Sequence, residues 1–270
     1  MRLASLVVFS AAICYAIAAS KIEWWELFKL ILGGFLVTGA SNGFNQIIEK
    51  DLDKLMVRTQ NRPMPLGRMN HTEALLLSLS IGAAGVYLLY TINLLSALLG
   101  LIALISYSII YTPLKKETPF AVFVGAIPGS IPPMLGYVAY TGEMSIQAAI
   151  LFGIQFMWQF PHFWAIAWRL DEDYQKAGFK LLPSPNGKDT ASAFQTLIYT
   201  IGLVPVSLLP VVFKMSGIIS GVVILLVGCI FVFQAYKLYT TQRDEDAKAL
   251  MFGSFFYLPI VQLAILLDKI

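Results

Sequence analysis

The chain has 270 residues, of which 57% are hydrophobic and 13% charged, and its formal net charge is +3. Soluble domains run at roughly 45–50% apolar and about 25% charged, so this composition excludes an ordinary water-soluble domain and marks an integral membrane protein. No nucleic-acid partner is expected.

Apolar runs near the ~20 residues that a helix needs to cross a bilayer fall at 3–19, 27–44, 72–91, 94–111, 120–140, 146–167, 194–212, 217–237 and 249–267. The connections between them are short, with no Ser/Gly linker or low-complexity tract. The expectation is an all-α polytopic membrane protein of about nine transmembrane helices, built as a single domain over 1–270. In the first run Arg2 precedes an apolar stretch ending AIAAS, which has the look of a secretory signal. The run is long for a signal core and eight more follow it, so it is read as the first helix. Cys14 and Cys229 lie inside apolar runs without partner spacing and read as small buried hydrophobes.

Positive charge is retained on the cytoplasmic side of a membrane. Arg2, Lys50, Lys54, Arg58, Arg62, Arg68, Lys115, Lys116, Arg169, Lys176, Lys180, Lys188, Lys237, Arg243 and Lys248 fall on one set of alternate connections, and only Lys21, Lys29, Lys214 and Lys269 on the other. This puts the N-terminus in the cytoplasm, in a cell (inner) membrane. The acids divide the same way, twelve against four, although the charge rule does not require it. One face carries the chemistry.

After the second run comes NQIIEKDLDKLMVRTQNRPMP. If the helix continues, Asn45, Glu49 and Asp53 stack at i, i+4 and i+8. An amide oxygen and two carboxylates so placed suit a hard cation such as Mg²⁺, which shares its oxygen ligands with substrate phosphates. Asp51 lies on the opposite side of that helix. Arg58 and Arg62 have planar forks that suit a phosphate, and Pro63 and Pro65 are expected to end the helical path. The bland alternative is a solvated helix end paired with Lys50 and Lys54. No glycine-rich phosphate loop is present, so a diphosphate bound here belongs to a lipid.

After the fourth run YTPLKKETP supplies Tyr111, Lys115, Lys116 and Thr118. The sixth run ends in WQFPHFWAIAWRLDEDYQKAGFKLLP. Its Asp171 and Asp173 sit two apart and cannot share a helix face, and Asp173 is the one assigned to the metal face. Lys176 and Lys180 sit four apart and could neutralise diphosphate. Acid clusters after the second and sixth runs hint at two similar four-helix halves. The two histidines differ. His71 opens the third run as a capping or surface residue, whereas His162 lies inside the sixth, where an ionisable group is a functional candidate. Imidazole is a common heme-iron ligand. Trp158, Phe160, Phe163 and Trp164 could wall a porphyrin or simply pack.

These motifs, from N-x-x-x-E-x-D-x-D and R-T-x-x-R-P through Y-T-x-x-L-K-x-x-T-P, GAIPGSIPPMLGY and WQFPHFWAIA, resemble the UbiA-type intramembrane prenyltransferases over nearly the whole chain from about residue 30. Within them, the WQFPHFWAIA stretch and the double proline are similar to the branch that farnesylates heme. The resemblance implies a nine-helix enzyme that uses Mg²⁺ to ionise farnesyl diphosphate and passes the prenyl group to heme B. Water then captures the resulting cation. It assigns metal and catalytic roles to Asn45, Glu49, Asp53 and Asp173, and a catalytic role to Tyr111. Arg58, Arg62, Lys115, Lys116, Lys176 and Lys180 would bind diphosphate, while His162, Trp158 and Phe163 would meet heme. Membrane lipid and heme-modifying or oxidase-assembly partners are implied too. Glu49 stands where many members carry Asp, DEDYQ replaces a D-x-x-x-D motif, and Lys180 stands where this branch often has proline. A Lys-Pro-Arg element expected before the first helix does not precede MRLASL, which implies a native start further upstream. Two other readings remain open: a relative that prenylates an aromatic acid or quinone precursor, and a transporter with a helix broken at GAIPGSIPP. A structural assembly factor would not need three charged clusters on one face.

Overall fold

A computed structural model describes the backbone of residues 2–270 and the side chains from residue 7 onward, so the Arg2 side chain lies outside the described residues. Among the described residues the chain forms long helices and no sheet; the one β contact is an isolated antiparallel bridge between Ser216 and Lys269. The long helices are α1 (Arg2–Ala18), α2 (Trp24–Ile48), α3 (His71–Tyr90), α4 (Leu94–Ile105), α5 (Ala121–Thr141), α6 (Ile146–Arg169), α7 (Thr190–Ser207), α8 (Ile218–Thr241) and α9 (Asp244–Leu267).

Among the described residues seven segments are long and apolar enough to cross a membrane, namely those built on α2, α3, α4, α5, α7, α8 and α9, and α1 contributes a shorter apolar stretch, Val7–Ala18. In α6, Gln147, Gln155, Gln159 and His162 dilute the apolar character despite its 24 residues. The outward faces are apolar: Leu226, Ile230 and Phe233 of α8 and Leu76, Leu77 and Leu79 of α3 are all exposed. In water such continuous apolar surface would aggregate, whereas hydrocarbon solvates it. The chain is a multi-pass membrane protein.

Local signals account for the helix ends. Asn70 caps α3 by accepting from the Glu73 amide at 2.8 Å, while the Glu73 carboxylate accepts from the Asn70 amide at 2.9 Å. His71 is the exposed first residue of that helix. Ser145 and Asp189 cap α6 and α7 through their side chains. The path after α2 ends earlier than the prolines predict. The helix breaks at Glu49, one further turn spans Lys50–Asp53, and turns run on well before Pro63.

Helices α2 to α5 pack as one group of four and α6 to α9 as another, with α9 returning to α6. The groups meet along α5 and α6, and α1 lies against α2, α5 and α9. Helix α5 is the most enclosed of these spans and runs unbroken through Pro128, Pro132 and Pro133, so the break that the transporter reading invokes is absent. Proline lacks the N–H that would have bonded the carbonyl one turn back. Opposite Pro133, the freed Gly129 carbonyl accepts instead from Gln155 Nε2 of α6 at 2.6 Å. Gly136 lets α1 approach, since a Cβ there would stand 2.0 Å from the Ala11 carbonyl oxygen. Ser10 of α1, Gln155 of α6 and Gln262 of α9 are tied together: Ser10 donates to Gln155 Oε1 at 2.7 Å, and Gln262 donates to Ser10 at 2.6 Å.

Candidate active site

Between the two groups lies a cavity of ≈ 210 Å³. Its walls come from α1 to α6 and α9, and are largely apolar, with Leu89, Leu135, Phe163 and Leu258 among them. Ser41 and Asn42 of α2 line it, and one turn further along the same helix the charged cluster begins with Asn45.

Asn45, Glu49 and Asp53 are all buried and remain in helical register, because the Glu49 amide bonds the Asn45 carbonyl at 2.9 Å and the Asp53 amide bonds the Glu49 carbonyl at 2.8 Å. Each acid meets a cation. Lys115 Nζ lies 2.5 Å from Glu49 Oε1, a short ion pair enclosed from solvent. Arg62 Nη1 donates to both oxygens of Asp53, at 3.0 and 2.8 Å. Asn45 Nδ2 donates to Glu49 Oε2 at 2.8 Å and to Thr112 Oγ1 at 3.2 Å. With its donors committed in these two directions, the amide leaves Oδ1 as its open group.

The segment carrying Thr112 is unusual. From Ser106 to Tyr111, α4 winds as a π-helix, and Thr112 Oγ1 donates to the Tyr107 carbonyl at 2.8 Å. Such wide turns are concentrated at functional sites. Here the widening sets Tyr107 on the cavity wall and Tyr111 beneath Lys115, whose Nζ is 5.1 Å from the Tyr111 ring centre and 5.0 Å from that of Phe179. Gly125 of α5 has no side chain where the Tyr111 ring packs; a Cβ would stand 2.6 Å from that ring. Burial pulls the Lys115 ammonium below its ordinary pKa, against the opposing pull of Glu49.

The cluster after α6 joins the same assembly through one residue. Asp173, in the short helix Asp171–Lys176, accepts from the backbone N–H groups of Val57 at 3.0 Å and Arg58 at 3.3 Å. Partial burial works against its charge, but the two amides and Lys176, 3.5 Å away, hold its pKa below the usual carboxylate value. Asp171 turns away, accepting from Gln175 at 2.8 Å. Asp51 pairs with Lys54 in solvent. Arg58 lies over the Tyr174 ring at 5.8 Å. Lys116 and Lys180 are exposed without an ion-pair partner among the described residues, and the contact of Lys180 with the site is its backbone N–H on the Lys115 carbonyl at 2.8 Å. Sequence reasoning thus missed Thr112 and Tyr107, though Thr112 stood inside a motif it had quoted.

Across the cavity, His162, Trp158 and Phe163 line the α6 wall. The Trp158 and His162 rings stack at 4.3 Å. Ser254 of α9, which no sequence signal marked, holds both: its carbonyl accepts from Trp158 Nε1 at 2.8 Å and its hydroxyl lies 2.7 Å from His162 Nδ1.

Among the described residues no three His, Cys, Asp or Glu side chains converge as a metal cluster. The donors at the end of α2 nevertheless suit Mg²⁺: two carboxylates and an amide oxygen left open, all hard ligands. The arrangement is one that can neutralise a diphosphate at the edge of an apolar chamber.

This is the architecture of an intramembrane prenyltransferase, and the chain belongs to the UbiA prenyltransferase family, whose model matches residues 6–258. A relative in Cytophaga hutchinsonii, named protoheme IX farnesyltransferase, is 48% identical across 100% of this chain and 95% of its own length. The fold is similar to that of a digeranylgeranylglyceryl phosphate synthase, with a TM-score of 0.81 at 22% identity, covering 97% of this chain and 92% of that one. It is also similar to a UbiA homolog from Archaeoglobus fulgidus bound to GPP and Mg²⁺, with a TM-score of 0.73 at 16% identity, covering 98% and 97%. The enzyme class is therefore that of a prenyltransferase.

Proposed function

We propose that this enzyme transfers a farnesyl group from farnesyl diphosphate to a vinyl group of heme B, with addition of water, giving heme O and diphosphate. The observation that carries this reading is the placement of two buried carboxylates, each paired with a cation as Glu49–Lys115 and Asp53–Arg62, beyond the end of an apolar cavity. Near-half identity to a protoheme IX farnesyltransferase over the full chain supports heme as the acceptor.

Asn45, Glu49 and Asp53 would hold Mg²⁺, with Asp173 contributing from lone pairs left free by the Val57 and Arg58 amides. When bound, the ion supplies charge neutralisation for the departing diphosphate. Arg58, Arg62 and Lys115 take the diphosphate oxygens, and Lys116, Lys176 and Lys180 add positive potential at the entrance. Tyr107 and Tyr111 present ring faces toward the developing allylic cation. The apolar walls exclude water until the new carbon–carbon bond has formed. Trp158, His162 and Phe163 meet the vinyl-bearing edge of the porphyrin. The chain would act as one domain over 1–270, crossing the cell inner membrane nine times with its N-terminus and charged face in the cytoplasm, among lipid and heme-modifying or oxidase-assembly partners.

Membranes containing the protein, given farnesyl diphosphate, Mg²⁺ and either heme B or 4-hydroxybenzoate, are expected to yield a farnesylated product from heme alone by mass spectrometry. A farnesylated benzoate with unmodified heme would sink the reading. Thr112→Val, which deletes the hydrogen bonds to Asn45 and the Tyr107 carbonyl, should lower turnover about thirtyfold, since two neutral bonds at ~1 kcal/mol each amount to ~2 kcal/mol. Thr112→Ser keeps the hydroxyl and should retain most of the rate. Equal rates for Val and Ser would remove Thr112 from the positioning of Asn45.

A further inference from the structure

We propose that His162 is the base that takes the proton from the water that ends the reaction, and that Ser254 is the residue that positions it. The inference rests on the reading of the reaction given above.

Ser254 Oγ lies 2.6 Å from the Met251 carbonyl oxygen and 2.7 Å from His162 Nδ1. A carbonyl can only accept, so the single hydroxyl proton of Ser254 goes to Met251. The proton between Ser254 and His162 must then sit on Nδ1. A neutral imidazole with Nδ1–H carries its lone pair on Nε2. Among the described residues Nε2 has no hydrogen-bond partner, yet it is not among the fully enclosed unpartnered atoms, and His162 lines the cavity. The ring cannot swing: Trp158 stacks on one face at 4.3 Å, and Phe255 meets it edge-on at 5.1 Å.

Among the described residues the cavity lining holds no competing base. Gln155 is committed through Oε1 to Ser10 and through Nε2 to the Gly129 carbonyl, and an amide does not accept a proton at neutral pH. Ser41 and Thr38 donate to carbonyls of their own helix. Glu49 and Asp53 lie outside the lining and are occupied by Lys115 and Arg62. Volume also bears on the role. A cavity of roughly 150 Å³ accommodates a benzene ring, so ≈ 210 Å³ has room for part of an isoprenoid chain and a vinyl edge beside His162.

The step balances. Attack by the vinyl group on the allylic carbon leaves a cation on the carbon attached to the porphyrin. A lone pair of water forms the carbon–oxygen bond to it. One water O–H bond breaks, its electron pair stays on oxygen, and the proton moves to Nε2. The positive charge passes from carbon to the imidazolium, which keeps its Nδ1–H on Ser254 and later releases the Nε2 proton to water. Without the base, the same cation can shed a neighbouring proton and become an alkene, lighter than the alcohol by one water.

The experiment supplies wild-type, His162→Phe and Ser254→Ala proteins in membranes with heme B, farnesyl diphosphate and Mg²⁺, and measures the alcohol-to-alkene ratio by mass spectrometry. The ratio is expected to fall in His162→Phe by roughly a hundredfold, the lower end of what a positioned base contributes. In Ser254→Ala it should fall less, in the same direction. An unchanged ratio in folded His162→Phe overturns the proposal. Loss of both products also overturns it, because a base acting after carbon–carbon bond formation is not needed for the first step. If His162→Phe does not accumulate, His162→Asn, which keeps a donor for Ser254 but has no basic nitrogen, is judged by the same ratio. Absence of any farnesylated heme from wild-type protein would instead defeat the reading of the reaction.

Discussion

Asp53→Ala is expected to abolish turnover, by about 10³-fold or more, while the protein still inserts and folds. Asp53 has no exposed surface, and its two oxygens receive one Arg62 nitrogen. In the proposed reaction that carboxylate anchors the ion that meets the leaving group, and losing a preorganised contact made to developing charge costs about 3–4 kcal/mol or more. Asp53→Asn, which preserves shape, separates charge from packing and should be nearly as inactive. Turnover of either variant within tenfold of wild type at low Mg²⁺ would show that the end of α2 is not the metal face.

Arg62→Ala should weaken prenyl diphosphate binding roughly 10- to 150-fold, the equivalent of about 1.5–3 kcal/mol for a charge-assisted contact, while heme affinity changes little. The substitution also strands the enclosed Asp53 carboxylate without its counter-charge, so some loss of stability is expected. For that reason the ratio of the two affinities is the informative quantity. Equal weakening of both substrates would remove Arg62 from the diphosphate subsite.

In the structure every acid of the proposed metal face already faces a cation, which explains how two buried carboxylates and two bases coexist before any substrate arrives. In the proposed reaction, substrate binding would amount to an exchange of partners. Arg62 and Lys115 would turn from carboxylate to diphosphate, and the carboxylates they release would become available as ligands. Each half of that exchange favours the other, so the affinities for metal and diphosphate are linked reciprocally.

Much of the helical architecture was legible because hydrocarbon imposes a length and a composition on any segment that crosses it. The run at 146–167 coincided with α6 despite its glutamines and histidine. Boundaries failed where charge extends a helix into water, as in α9, which begins at Asp244 rather than 249. The spacing of Asn45, Glu49 and Asp53 was equally visible, since α-helical register fixes it locally. Their partners were not. Nothing in a linear pattern joins Glu49 to Lys115, and a run of basic residues does not reveal that Lys115 is enclosed while Lys116 is exposed. The Ser254–His162 contact spans 92 positions and two helices of different hairpins, and a single serine in an apolar run carries no signal. Prolines misled in both directions: α2 ended without their help, and α5 absorbed three of them because side chains such as Gln155 satisfy a carbonyl they leave free.

The grip of Asp173 on the amides of Val57 and Arg58 bridges 116 and 115 positions of chain. During synthesis at about 5–20 residues per second, the first charged loop therefore waits roughly 6–23 s for the carboxylate that organises it. A nascent chain stopped after α5 already carries Asn45, Glu49, Asp53 and both arginines, but not the latch that seats them. In the proposed reaction the assembled diphosphate pocket would thus be withheld until the wall that shields the reactive cation has been laid down, and a half-made enzyme would not squander prenyl diphosphate by hydrolysis.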